Sequence, residues 1–316
     1  TEIVDKEATF FEKLFAFLVI AVPLSFLGYQ VIKSFLRKWK LKRMYKEANY
    51  YREIPMAGDI EAAYVLAKDF QQAKEDGDLI GAAFLKLINE NSLHPLSEKK
   101  VGFFGREKEI ISLRLVNPPV KEGFTTHELY DLLIKASGED QILQERELEK
   151  YSKINHTAIF DLVKSAKADG DKKIVGMKLY SKAKEYKVLG LSPEGEQQLS
   201  NIMGFKKFLL DFSLINERGI AETILWQDYL TFAMLFGIAD KVIEQFKKVY
   251  PKPTDLSEQA LDSYQLSTGY TAASYFAAVK AASHAAQVAR SSGFGGGSSY
   301  GGGGGFSGGG VGGGSR

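Results

Sequence analysis

The sequence predicts a mainly α-helical protein with small β-hairpins, an α+β fold in which one transmembrane helix precedes a folded cytoplasmic part. An uncharged apolar run extends from Leu14 to Ile32. Most of the following chain places apolar residues at helical spacing, and its β-type runs are short and paired through turns. In chain order we predict an extracytoplasmic stub (1–13), a transmembrane helix (14–32), a basic juxtamembrane linker (33–58), a winged-helix-like unit (59–117), a second winged-helix-like unit (120–203), a helical bundle (204–250), a linker with an Ala-rich segment (251–290) and a disordered Gly-rich tail (291–316).

The transmembrane helix is predicted from length and composition. The run is bounded by Lys13 and Lys33, and it has about the 20 residues that a helix needs to cross a hydrocarbon core of about 30 Å. Pro23 is tolerated inside a span, where local adjustment satisfies the freed carbonyl group. A buried core helix and a signal sequence are the alternatives. The length disfavours the first, and the lack of a small-residue cleavage site disfavours the second.

A basic cluster follows the span, whereas only Lys6 and Lys13 are basic before it. By the positive-inside rule, the N-terminus lies outside and the remainder lies in the cytoplasm, as in a single-pass protein of the plasma (inner) membrane. The cluster is also the predicted membrane-surface site, because each cation near an anionic leaflet contributes about 1 kcal/mol. Its members are Lys33, Arg37, Lys38, Lys40, Lys42, Arg43 and Lys46.

Composition and motifs exclude several classes of function. The 41 basic and 39 acidic residues nearly cancel, which disfavours a surface built for polyanions, and the absence of Cys removes disulfides, thiolate chemistry and Cys-based zinc sites. There is no phosphate-binding GxxxxGK[ST] and no GxSxG motif. The four His residues are scattered, with no pair at the spacing of a helical metal site. We therefore predict no enzymatic activity, no catalytic residue, no cofactor and no metal. The His residues are His94, His127, His156 and His284.

The first winged-helix-like unit is predicted from two capped helices and a hairpin. Asp59 and Asp78 are expected to cap the helices, whose apolar residues recur at helical spacing. Strands at 101–104 and 110–116 are joined by a polar turn at 105–108. Many small α+β folds share this pattern.

The second unit begins with a predicted capping box between Thr125 and Glu128. A further helix is predicted at about 157–168, followed by a β-prone stretch at 180–189. Ser192-Pro193-Glu194 then opens another helix, with Ser as the cap and Pro at the first position.

The predicted bundle has aromatic residues on one face, at Phe205, Phe208 and Phe212. The apolar stretch from Tyr229 to Ala239 is too short to cross a membrane, so we predict a buried core helix. The tail is dominated by Gly and cannot bury enough apolar surface to offset the entropy of ordering.

Several segments lie in a characteristic order between the span with its basic exit and the Gly-rich terminus. They are YYREIPMAGDIEAAYVL at Tyr50 to Leu66, DLIGAAFLKL at Asp78 to Leu87, LSPEGEQQL at Leu191 to Leu199, FKKFLLDF at Phe205 to Phe212 and WQDYLTFAMLFGIADKVIEQF at Trp226 to Phe246. Taken together, these features resemble the C-terminal half of a bacterial family of predicted membrane proteins, the domain of unknown function 2207 family. The resemblance implies an extracytoplasmic domain before the span, which accounts for a start at Thr1. Some members carry extra spans near the middle, and this sequence has none there. No functional residue can be carried over.

Two functions remain open. The preferred hypothesis is a membrane-anchored cytoplasmic scaffold or adaptor, with the lipid bilayer and other proteins as partners. The alternative is a membrane-tethered DNA-binding transcriptional regulator. Nucleic acid is the less favoured partner, because the recognition-helix candidate from Leu79 to Asn91 has Lys86 as its only basic residue. A patch of Lys164, Lys167, Lys172 and Lys173 is the main feature in its favour.

Overall fold

The computed structural model describes residues 2–101, 107–119, 123–181, 188–212 and 225–249. The predicted segments 251–290 and 291–316 lie outside the described residues. The helices and strands of the described part are α1 (Glu2–Glu47), α2 (Ile60–Asp69), α3 (Asp76–Asn89), β1 (Leu93–Val101), β2 (Glu107–Leu115), α4 (Phe124–Ser137), β3 (Ile142–Leu143), α5 (Glu145–Ile154), α6 (His156–Gly176), α7 (Pro193–Leu210), α8 (Trp226–Leu235) and α9 (Ala239–Val249).

The N-terminal helix α1 contains the predicted span. The large apolar side chains from Phe15 to Phe35 are exposed, with Phe15 at 71% and Phe35 at 68% of their full accessibility. The stretch Phe17–Glu47 reaches a mean hydropathy of 1.6, and none of its most apolar window is buried in the fold. Among the described residues, this is the one helix long and apolar enough to cross a membrane. The described part of the chain therefore has one candidate transmembrane helix, which lies near the N-terminus as predicted.

Helix α1 continues 15 residues beyond the predicted end of the span, from Ile32 to Glu47. The predicted linker (33–58) is thus helical in its first part. The reason is composition, because this part is rich in Lys, Leu and Arg, which are good helix formers, and contains neither Gly nor Pro.

One hydrophobic core extends from Leu41 to Val242. Helix α2 packs against α6, while α3 packs against both α4 and α8. The predicted units 59–117 and 120–203 share this core and are not separated at Pro118 and Pro119. Periodicity shows which face of each helix is apolar, but it does not show which other helix covers that face.

A three-stranded antiparallel sheet also joins the two predicted units. The strand order is β1-β2-β3, and β3 pairs with β2 through Leu113 opposite Leu143. The first strand begins at Leu93, earlier than the predicted 101–104. Pro95 argues against a strand at this place in the sequence, because Pro cannot donate a hydrogen bond to the sheet. It is tolerated in an edge strand, and β1 lies at the edge of the sheet. Glu107 and Lys108, predicted to lie in the turn, belong to β2.

Two of the predicted helix caps are confirmed. The Asp59 carboxylate accepts a hydrogen bond from the Ala62 N–H at 2.9 Å, at the start of α2. The Ser192 hydroxyl accepts one from the Gly195 N–H at 3.0 Å, with Pro193 at the first position of α7.

The other two predicted caps need correction. Asp78 is the third residue of α3 and not its cap, and its carboxylate accepts a hydrogen bond from the Glu75 N–H at 3.3 Å. Helix α4 starts after Gly123, and the Thr125 N–H donates to the Glu61 carboxylate of α2 at 3.0 Å instead of taking part in a local capping box. A carboxylate 64 positions away thus replaces the predicted partner, Glu128.

Glu61 is 2% exposed and lies 3.2 Å from the Lys173 ammonium group of α6. Burial alone would raise the pKa of Glu61, but the hydrogen bonds from Thr125 and the charge of Lys173 outweigh it and lower the pKa. The carboxylate therefore stays ionised and joins three helices, α2, α4 and α6.

A partly buried carboxylate, Asp76, joins α3 to α2 and α6. It lies 3.0 Å from Lys68 and 2.9 Å from Lys167, and it accepts a hydrogen bond from the Tyr64 hydroxyl at 2.7 Å. Burial by itself would raise the pKa of Asp76, but the hydrogen bonds from Lys167, Tyr64 and Lys68 lower it to about 2.

Asp76→Asn is expected to reduce the fall in the free energy of unfolding that accompanies a drop in pH from about 4 towards 2. Since the folded-state pKa of Asp76 lies below the unfolded value of 3.8, its ionised form stabilises the fold by about 2 kcal/mol above pH 4. This contribution is lost as the pH falls from about 4 towards 2. Urea unfolding of the detergent-solubilised chain at several pH values measures it. Asp161→Asn, at an exposed position of α6, is the control, and an unchanged acid profile in Asp76→Asn would contradict the assignment.

The apolar stretch predicted as a core helix is buried as predicted, but it is interrupted. Helix α8 ends at Leu235, and Gly237 adopts a φ of 65° before α9 begins. The N–H groups of Gly237 and Ile238 donate to the carbonyls of Met234 and Ala233, both at 2.9 Å, which is the Schellman pattern of a helix end. The left-handed conformation favours Gly, so the glycine inside the stretch marks the turn.

Candidate membrane-coupling site

The C-terminal end of α1 is packed onto the folded part and does not extend freely from it. Leu41 and Ala48 are 6% and 5% exposed, and Met44 and Tyr45 pack partly against the same core. Leu41, Met44 and Ala48 form a stripe together with Arg37, because positions 37, 41, 44 and 48 lie on one face of a helix. We call the contact of residues 37–52 with α7 and the end of α2 the seam.

Two basic side chains of α1 hold the membrane end of the seam. The Lys40 ammonium group lies 2.5 Å from the Glu196 carboxylate in the first turn of α7. The Arg37 guanidinium donates to the Asp69 carbonyl at 2.8 Å and lies 5.0 Å from the centre of the Phe70 ring. These contacts fix the rotation of α1 about its axis relative to the domain.

The far end of the seam is formed by the second half of α7. The Lys207 ammonium group donates to the Ala48 carbonyl at 3.2 Å, just after the last turn of α1. Gly204 faces the same segment so closely that a Cβ added there would overlap the Asn49 carbonyl oxygen and lie 3.2 Å from Tyr51 Cβ. Close backbone approach therefore requires Gly at this position.

The last residues of the seam are held by hydrogen bonds from two tyrosine hydroxyls. The Tyr50 hydroxyl donates to the Asp211 carboxylate at 3.1 Å, and the Tyr229 hydroxyl of α8 donates to the Arg52 carbonyl at 3.3 Å. Burial raises the pKa of Tyr50, and its hydrogen bond to Asp211 adds to the shift. The Tyr50 phenol therefore acts as a neutral donor at physiological pH.

The seven residues of the predicted membrane-surface site divide into two groups. Arg37 and Lys40 are half-buried and bind the folded part, whereas the remaining five are exposed. Arg43 pairs with Glu47 one turn away at 2.9 Å. The exposed group can therefore still face lipid headgroups, and it consists of Lys33, Lys38, Lys42, Arg43 and Lys46.

A cavity of about 520 Å³ opens at the membrane end of the seam. It lies between α1, the ends of α2 and α6, and the segment after residue 187. Its charged lining consists of Lys33 and Arg37 from α1, with Asp69 and Asp171 opposite. Sequence reasoning missed these carboxylates and the seam partners on α7, because no local pattern connects them to α1.

The helix that α1 contacts in the seam, α7, lies in a segment that matches a known protein family. The family model described as "Predicted membrane protein (DUF2207) C-terminal domain" matches residues 174–246. Residues 174–246 are similar to this C-terminal domain, and we refer to them below as the DUF2207 domain. It contains α7 and α8 with most of α9. The seam residues Glu196, Gly204 and Lys207 therefore lie in the DUF2207 domain.

No curated protein and no solved structure matches the chain. The other segments that resemble the family, at 50–66 and 78–87, precede the DUF2207 domain in the chain. They pack against it, since α3 contacts α8 and α2 contacts α7.

The described residues contain no candidate metal-ion site. No group of three His, Asp or Glu side chains that could hold a metal ion occurs in that part of the chain. His94 is exposed on β1, and His127 Nδ1 lies 3.0 Å from the Gly123 carbonyl oxygen beside it. The side chains of His156 and His284 lie outside the described residues.

Proposed function

We propose that this protein is a membrane-anchored cytoplasmic scaffold or adaptor that holds its DUF2207 domain against the inner face of the plasma membrane. The observation that carries the proposal is the seam. A flexible linker would let the domain explore many orientations, whereas α1 passes as one continuous helix from the apolar span into contact with α7. Such an arrangement presents one fixed surface of the domain to partner proteins.

The alternative, a tethered DNA-binding regulator, is disfavoured by burial. Every residue from Gly77 to Leu85 of the recognition-helix candidate α3 is buried. A recognition helix must expose side chains to reach base edges in the major groove. Two members of the Lys patch are also paired, since Lys167 contacts Asp76 at 2.9 Å and Lys173 contacts Asp59 at 3.0 Å.

Crosslinking in intact cells distinguishes the two functions. A photoreactive residue is placed at Gln197 on α7 or at Lys241 on α9, both of which are exposed. The scaffold proposal expects adducts with particular proteins that are lost when the seam is disrupted. Recovery of DNA in place of protein would favour the regulator. So would duplex binding by the full chain tighter than about 10⁻⁶ M at about 150 mM salt, because ordinary non-specific binding is weaker.

The charge asymmetry around the span supports an outside N-terminus, and single-Cys variants of this Cys-free chain test it. A membrane-impermeant thiol reagent is expected to label Thr1→Cys in intact cells. Lys178→Cys, at an exposed position after α6, should react only after permeabilisation. Labelling of position 178 but not position 1 in intact cells would reverse the proposed orientation.

A further inference from the structure

The cavity at the membrane end of the seam lies at the depth of the lipid headgroups. Lys33 directly follows the predicted span, and Arg37 is one turn further, about 6 Å along the helix axis. The headgroup layer on each side of a bilayer is about 5–7 Å thick. The two cations therefore extend across this layer on the side of α1 that borders the cavity.

The opposite wall carries negative charge. Asp69 lies at the end of α2 and accepts a hydrogen bond from the Tyr180 hydroxyl, while Asp171 lies on α6. Burial raises the pKa of Asp171, the neighbouring Asp69 carboxylate adds to the shift, and the charge of Lys167 on the same helix partly offsets it. A cation placed between these carboxylates would relieve their repulsion.

The cations and the carboxylates face one cavity without neutralising one another directly. Among the described residues, neither Lys33 nor Arg37 forms an ion pair with Asp69 or Asp171. The contact of Arg37 with the Asp69 carbonyl uses Nη2 of a guanidinium that has five N–H donors, so other donors remain for a ligand. At about 520 Å³, the cavity is within the range of about 300–1,000 Å³ that is usual for small-molecule sites.

We propose that this cavity binds the headgroup of a phospholipid bearing a phosphate and a primary amine, with Lys33 and Arg37 at the phosphate and Asp69 and Asp171 at the ammonium. A phosphate with an adjacent ammonium matches a site lined by two cations from α1 and by two carboxylates from α2 and α6. A quaternary ammonium prefers aromatic faces. Here the Arg37 guanidinium already covers the Phe70 ring. The ammonium group is therefore expected to meet the carboxylate oxygens of Asp69 and Asp171, which accept hydrogen bonds from a primary amine. The proposal requires α1 to cross the membrane but does not depend on a scaffold role.

The test uses the full chain in nanodiscs of phosphatidylcholine with equal minor fractions of phosphatidylethanolamine and phosphatidylglycerol. After extraction into mild detergent, native mass spectrometry counts the retained lipids. Phosphatidylethanolamine is expected to be retained about fivefold or more over the other two, because small-molecule sites discriminate through a few placed polar groups. Asp171→Asn and Arg37→Gln should each abolish this preference.

Two matched controls separate the cavity from the general basic surface. Lys38→Gln changes the exposed neighbour of Arg37, and Asp161→Asn changes an exposed carboxylate on the same helix as Asp171. Both should keep the preference for phosphatidylethanolamine. Equal retention of phosphatidylglycerol, or an unchanged preference in Asp171→Asn, would overturn the proposal. Soluble glycerophosphoethanolamine that displaces the retained lipid at equimolar concentration would show that the ligand is a free phosphate ester and would overturn the lipid assignment.

Discussion

Phe205→Ala is expected to destabilise the folded part by about 3–5 kcal/mol, the usual cost of truncating a buried aromatic side chain. Phe205 is fully buried in α7 and contacts the rings of Tyr229 and Phe232 with centroid distances of 5.5 and 5.9 Å. Both contacts are edge-to-face, the geometry that aromatic quadrupoles favour. The truncation removes these contacts and leaves a cavity between α7 and α8.

The chain provides its own probe for this measurement. It has two Trp residues, and Trp39 is exposed on α1 while Trp226 is 1% exposed in α8. In a Trp39→Phe background, urea unfolding followed by Trp226 fluorescence reports on the core near Phe205. Phe124→Ala is the matched control, because Phe124 is 38% exposed and its loss should cost under about 1 kcal/mol. Equal destabilisation by the two substitutions would contradict the burial of the Phe205 ring.

Gly204→Ala is expected to open the seam. The added methyl group would overlap the Asn49 carbonyl oxygen, and because this atom belongs to the backbone, the segment after α1 must move. Overpacking of this kind costs about 1–3 kcal/mol. Trypsin cleavage after Lys46 or Arg52 should then accelerate about tenfold, since the cleavage rate follows the population of the open form and 1.4 kcal/mol corresponds to a factor of about ten.

Gly176→Ala is the matched control for the seam. A Cβ added at Gly176, the last residue of α6, has no atom within 4 Å. The same chemical change should therefore leave both the cleavage rate and the unfolding midpoint nearly unchanged. If Gly204→Ala were cleaved no faster than this control, α1 would not be held by close backbone contact with α7.

Local patterns predicted much of the secondary structure. The helix starts at Asp59 and Ser192 were recognised because a capping side chain bonds to an N–H only a few residues ahead. The same reasoning was wrong at Thr125, where the acceptor is Glu61 on another helix. A capping pattern shows that an N–H needs an acceptor, but tertiary packing chooses which acceptor is nearest.

The winged-helix-like interpretation rested on local patterns, which do not show how the helices pack together. The helices of the first unit are present, but α3 is buried between α4 and α8, which come from later in the chain. The third strand of the sheet has two residues, Ile142 and Leu143, too few for any alternation to show in the sequence. Its pairing with β2 arises from the position that α4 gives it.

The sequence by itself determined that a single apolar helix precedes a Cys-free folded part, that a basic cluster follows this helix, and that the stretch after Trp226 is buried. These properties depend on hydrophobicity and charge counted along the chain, and the membrane and the core select for them directly. Only the tertiary structure decided that Arg37 and Lys40 turn towards the domain while Lys38 and Lys42 face outward. It also decided that α1 meets α7 and that two carboxylates lie opposite Lys33. Lys40 and Glu196, for example, are 156 positions apart in the chain, and only the packing of the complete core brings such residues together.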